Sequence, residues 1–219
     1  MIKRTIAILA GVVLPISASA QDYYPALSQQ GYVKRIVDDK VQYVRIHEEL
    51  PPICDVNVIR AATTANGIGS EFYLTGAGDH FKYGTVPTVF DEPQFLEVVL
   101  ANTSVMTLET WWDQSASAAP YPYFAARVMI NGNRFYYSVR SEQDGDFACG
   151  DGVSSTNIRK RIDFETAILH EFGHFAGLYH RWDGDTGPCV MAKYIRQGEI
   201  KREYCSDEKN YILGFYGPK

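Results

Sequence analysis

The apolar positions of this chain follow a strand-like period through much of its length and fall into helical spacing mainly towards its end. Residues 32–36 and 41–46 alternate apolar with polar side chains and are rich in Val, Ile and Tyr, with Asp38-Asp39-Lys40 as a turn between them. Pro51 and Pro52 close that segment. From Asp55, a candidate N-cap, a helix is expected to about Ala65: Val58, Ile59 and Ala62 share one face, and Gly67 stops it. Further strands are predicted at 71–75, 95–100 and 106–112. The run from Phe95 to Leu100 is apolar but for Glu97, which marks a central strand buried on both faces. Residues 76–93 read as loop, with room for a short strand near Val89. Residues 124–130 and 134–139 flank Asn131-Gly132-Asn133, a favourable hairpin turn. A Gly/Asp/Ser loop over 142–157 precedes Asp163, which caps a helix with Glu165 in its first turn. Ser206 caps a last helix, with Asp207 and Glu208 in its first turn and Gly214 near its end. Strands mostly first and helices late predict an α+β domain.

The helix that starts at Asp163 carries the chemistry. Three of the five histidines fall in His170-Glu171-Phe172-Gly173-His174-Phe175-Ala176-Gly177-Leu178-Tyr179-His180. Two His four residues apart project from one helical face, so His170 and His174 can grip a single Zn²⁺. Glu171, beside the first ligand, is placed to act as general base on a zinc-activated water. Gly177 lets the chain leave the helix in a left-handed turn, which carries His180 back as third ligand. Three nitrogens with a fourth position open define a catalytic rather than a structural zinc site.

Composition narrows the setting. Lys3 and Arg4, an apolar run from Ile6 to Ile16 and Ala18-Ser19-Ala20 form a signal peptide over residues 1–20. The run is shorter than the roughly 20 residues of a membrane span. Position 21 is Gln rather than Cys, so no membrane anchor is expected, and the protein reads as secreted. Residues 21–40 form a leader and 41–219 one catalytic domain. Loss of two positive charges moves the formal charge from −5 to −7, which argues against nucleic acid or an anionic membrane as the main partner. A monomer is expected. Cys54, Cys149, Cys189 and Cys205 allow three pairings in an oxidising compartment. Cys189–Cys205 and Cys54–Cys149 are the expected pairs, with free buried thiols the alternative.

The His170–His180 motif resembles that of the metzincin zinc peptidases, and the chain from Val41 to Gly217 is similar to a small bacterial matrixin-like enzyme. Asp163 to Leu169 resembles the lead-in to the zinc helix, and Ser206 to Gly217 the closing helix. Met191, in Cys189-Val190-Met191-Ala192, stands where the family's Met-turn lies beneath the histidines, where its adaptable thioether can pack without binding metal. The resemblance implies a twisted, mostly parallel sheet with an antiparallel edge strand, packed on two long helices plus a C-terminal helix. It also implies a protein or peptide substrate laid along the sheet edge, for which the hairpin over 124–139 is the candidate.

Some positions depart from the family. Arg181 follows the third His, and Lys193, not Tyr, stands two residues after Met191, so Tyr194 is not assigned as a ligand. Cys54 bears a superficial likeness to the zinc-blocking cysteine of matrixin propeptides, but a disulfide is its expected use. Asp144, Asp146, Asp151, Asp183 and Asp185 could hold a structural Ca²⁺, with solvated loop acids the commoner outcome. A zinc-containing binding module and a non-peptidase zinc hydrolase are the competing functions.

Overall fold

The computed structural model describes residues 35–36, 40–48, 50–81, 95–101, 107–112, 122–131, 146–150, 153, 161–180 and 188–219. In chain order the elements are β1 (Arg35–Ile36), β2 (Val41–His47), α1 (Pro52–Asn66), β3 (Tyr73–Phe81), β4 (Phe95–Ala101), β5 (Thr107–Trp112) and β6 (Pro122–Asn131). They continue with β7 (Asp146–Ala148), β8 (Arg161–Asp163), α2 (Phe164–Phe175) and α3 (Ser206–Tyr216). The result is a mixed α/β fold. Its main sheet has the order β1-β6-β4-β2-β3 with all these pairs parallel, while β5 runs antiparallel to β6.

β4 lies between β2 and β6, the position its largely apolar run predicts. The hairpin expectation needs correcting. β6 bonds β4 on one side and the preceding strand β5 on the other, Thr107 facing Met129, so β6 is interior and β5 is the antiparallel edge. The expected second arm, 134–139, lies outside the described residues, as do Val89 and the turn at Asp38-Asp39. β1 does not pair with β2 as a hairpin would require; it meets the first two residues of β6 instead.

Helix α1 begins at Pro52, earlier than expected. A proline costs little in a first turn, where the N–H has no intrahelical partner anyway. Pro51 supplies no side-chain cap, and Asp55 sits in the first turn rather than at the cap. At the far end Asn66 replaces a backbone rung: its Nδ2 donates to the Leu74 carbonyl and its Oδ1 accepts the Leu74 amide, both at 2.7 Å. β3 runs on to Phe81, beyond the expected 71–75, through a register slip against β2 that passes Gly76 at φ 70°. The three residues of β7 lay in the expected loop, because one buried Phe147 between Asp and Ala gives no visible period.

The core lies where α1 and α2 pack together beneath the sheet. Val58, Ala61, Ala62 and Ala65 meet Val44 and Ile46 of β2 and Ile168, Leu169, Phe172 and Phe175 of α2. Both expected disulfides form: Cys54–Cys149 spans 95 residues and Cys189–Cys205 spans 16. Cys54 is therefore no free thiol to block a metal. The bridges fit an oxidising, extracellular setting. Among the described residues no helix is long and apolar enough to cross a membrane.

Candidate metal centre

The site is built on α2, whose twelve residues are all buried. Its start is fixed by Asp163, whose Oδ2 accepts the Thr166 amide at 3.1 Å and the Thr166 hydroxyl at 2.6 Å. Asp163 is fully buried, and Arg202 neutralises it in a two-pronged bond, Nε at 2.8 Å and Nη2 at 2.6 Å. Arg202 Nη1 also lies 3.4 Å from Glu165, which accepts Asn57 Nδ2 at 3.4 Å. Asn57 in turn accepts the Gly150 amide at 2.8 Å, so the Cys54–Cys149 bridge and the helix start are tied through one polar chain. Glu165 is thus a structural link as well as a favourable first-turn acid. Burial raises its carboxyl pKa, which the neighbouring Arg202 opposes.

The other end of α2 closes as the sequence predicts. Gly177 adopts φ 98°, the Leu178 amide donates back to the Gly173 carbonyl at 2.9 Å, and the Gly177 amide donates to His174 at 3.0 Å. This turn does two things at once. It brings His180 back over the helix, and it aims the Leu178 carbonyl at His174 Nδ1, 2.8 Å away. His170 Nδ1 lies 2.8 Å from the Val190 carbonyl. A carbonyl can only accept, so each Nδ1 carries the proton and each Nε2 is left with a bare lone pair.

Those lone pairs converge. His180 Nε2 is 3.2 Å from His170 Nε2 and 3.1 Å from His174 Nε2. Three imidazoles bonded at the usual zinc distance in tetrahedral array would stand about 3.4 Å apart, so the observed spacing fits such an ion. The rings are also neutral, as ligands must be. Burial, then the charges of His174 and His180, holds His170 well below the ordinary histidine range. Burial pulls His174 down to about 4, and burial, His174 and Lys193 pull His180 down to about 3.

Glu171 lies on α2 next to His170, 6% exposed. Burial alone pushes its carboxyl up to about 8. A cation alongside favours the carboxylate, so a metal held by the histidines would return Glu171 to the form that accepts protons.

Beneath the helix runs the turn Cys189–Ala192, closed by the Ala192 amide on the Cys189 carbonyl at 3.2 Å. Met191 is fully buried, its amide donating to Glu208 Oε1 at 3.0 Å. Its sulfur lies against Gly173: a Cβ on that glycine would overlap the sulfur and come within 3.2 Å of the Tyr204 ring. Tyr204 also donates its hydroxyl to the Leu169 carbonyl at 2.8 Å. The sequence reading missed Gly173, Glu208, Tyr204, Asn57 and Arg202 as supports. Only Gly173 gave a signal, since a mid-helix glycine is costly without a reason. The last helix begins one residue after its N-cap, which is Cys205 and not Ser206.

Asp144, Asp151, Asp183 and Asp185 of the calcium expectation, and Arg181, lie outside the described residues, while Asp146 is part of β7. Cys189 and Cys205 are committed to their bridge and form no metal site with Asp207. No protein-family model matches the chain, and no curated protein sequence matches it.

Proposed function

We propose that the protein is a secreted zinc-dependent endopeptidase of the metzincin type, resembling the small bacterial matrixins. The observation that carries this reading is the convergence of three Nε2 atoms, with the buried Glu171 next to His170 in α2. Three neutral imidazoles are a donor set for zinc and a poor one for calcium or magnesium, which prefer oxygen. The mostly parallel sheet with one antiparallel edge strand is further support, being the pattern the resemblance implies.

Zinc, when bound, supplies a Lewis acid that polarises the scissile carbonyl and acidifies an attacking water. Glu171 accepts the proton of that water and returns it to the departing amine. His170 and His174 keep their ring planes because each Nδ1–H is tied to a backbone carbonyl, so neither drifts nor takes up a proton during the cycle. An extended protein or peptide substrate adds a strand along β5, an edge of the sheet among the described residues, in place of the hairpin over 124–139.

The test is incubation of zinc-loaded protein with denatured casein, with and without chelator, and with Glu171→Gln as control. Hydrolysis that stops with chelator and returns with zinc is expected. Intact casein and an intact mixed peptide pool after incubation with zinc-loaded protein would overturn the peptidase reading in favour of a zinc-containing binding module or another zinc hydrolase.

A further inference from the structure

The registers of the main sheet bring five charged residues into one row across its strands. Glu109 of β5 is in register with Arg127 of β6, Arg127 with Glu97 of β4, Glu97 with Arg45 of β2, and Arg45 with Asp79 of β3. From the β5 edge inwards the signs run minus, plus, minus, plus, minus. The adjoining row contains Val128, Val98 and Ile46, all fully buried. By alternation the charged row therefore belongs to the face turned away from the core, where Arg45 is partly exposed. The row also accounts for Glu97 in an otherwise apolar strand, since its register neighbours on both sides are arginines.

Opposite charges directly across two strands favour their pairing, and like charges there oppose it. Every interior member of the row has an opposite charge in register on both sides. Glu109 has one on the β6 side, and on its other side β5 is an edge of the sheet among the described residues. A strand added there brings one of its own residues into register with Glu109, whichever way it runs. Resting on the peptidase reading, in which that strand is the substrate, we infer that Glu109 is a specificity residue, selecting peptides that carry Lys or Arg at the position facing it. The alternation of the row is thereby continued into the substrate. The preference belongs to a single substrate position, because the residues on either side of it fall on the opposite face of the added strand.

Matched fluorogenic peptides decide it, cleaved by the zinc-loaded protein, with Lys, Ala or Glu placed in turn at each position flanking the scissile bond. Wild type is expected to favour Lys over Ala about threefold in kcat/KM at one position, chiefly through KM, and to disfavour Glu there. Glu109→Asp should keep the preference, Glu109→Gln bring the ratio towards one, and Glu109→Lys reverse it in favour of the Glu peptide. Each ratio is taken within one variant, so a general loss of activity or of folded protein cancels. Asp79→Asn, at the far end of the row about 19 Å away, should leave the ratio as in wild type. A Lys preference at no position, one unmoved by Glu109→Lys, or one that Asp79→Asn removes equally overturns the inference and leaves the peptidase reading standing. Failure to cleave any peptide overturns both.

Discussion

Glu208 and Met191, 17 residues apart, are joined by a hydrogen bond that fixes the turn under the histidines: Glu208 Oε1 accepts the Met191 amide at 3.0 Å. Its other oxygen accepts the Cys205 amide at 2.6 Å, and the side chain is wholly buried. Removing it strands two backbone donors where water is scarce. Glu208→Ala should therefore cost about 2–4 kcal/mol of stability. Glu208→Gln keeps the shape but must turn an NH₂ towards one amide, and should cost less. Urea unfolding of the three proteins checks the order; an Ala variant as stable as wild type would refute the role.

Gly173→Ala runs against helix propensity in an informative way. Alanine is favoured over glycine by about 1 kcal/mol in a helix interior. Here its Cβ meets the Met191 sulfur, and overpacking of that kind costs about 1–3 kcal/mol. The net effect should be destabilising in wild type and should vanish or reverse in a Met191→Ala background. A double-mutant cycle measured by chemical denaturation gives the coupling directly.

Glu171→Gln should bind zinc and lose activity by about 10²–10⁴-fold, because an amide cannot take up a proton from water. His174→Ala should instead lower metal occupancy, measured by elemental analysis after dialysis. Near-wild-type casein hydrolysis by a zinc-loaded Glu171→Gln protein would sink the mechanism.

Chelator-stripped protein should be most stable near pH 6.5. Burial holds His174 at about 4 and His180 at about 3 in the folded state, against 6.5 for free histidine. As pH falls below 6.5 the unfolded chain gains protons that the folded chain refuses, and stability drops. Glu171 behaves oppositely, with about 8 folded against 4.5 free, so the folded state keeps a proton the unfolded state has released. Stability then falls as pH climbs towards 8. Between 4.5 and 6.5 the three lowered histidines outnumber the raised carboxyls of Glu171 and Glu165, and the slope stays upward. Thermal unfolding across pH 5 to 8.5 should show both limbs, and Glu171→Gln should lose the alkaline one. An alkaline limb unchanged in that variant would show that burial of Glu171 does not set it.

The Cys189→Ser, Cys205→Ser double mutant should lose roughly 3 kcal/mol, the simple loop-entropy figure for a ring of about fifteen residues. It should also bind zinc more weakly than that loss alone implies, since the Val190 carbonyl that orients His170 lies inside the ring. Circular dichroism with zinc titration separates a weakened site from a lost helix. Zinc affinity equal to wild type would remove the bridge from the account of the site.

Apart from the two disulfide pairs, what could be read from the sequence was local. His170 and His174 are a helical turn apart, Asp163 caps the same helix, and Gly177 turns its end; each depends on neighbours within a few residues. The run from Phe95, apolar but for Glu97, announced a central strand, and β4 does pair on both sides, with β2 and β6. The partners of these groups were not legible. That Val190 faces His170, that Arg202 faces Asp163, or that Glu208 holds Met191 depends on chain closures of about 17 to 39 residues that no period records. Strand pairing failed for the same reason: Asn131-Gly132-Asn133 is a good turn, but the partner of β6 was the strand before it.

The ring closed by Cys189 and Cys205 also sets when the site can exist. α2 can present His170 and His174 from local forces alone, but the carbonyl that aims His170 waits on a covalent step. In a reducing compartment the chain would carry its histidines without the clamp that orders them, and metal supply would not make up the difference. An oxidising environment would then act as the last maturation factor of the site.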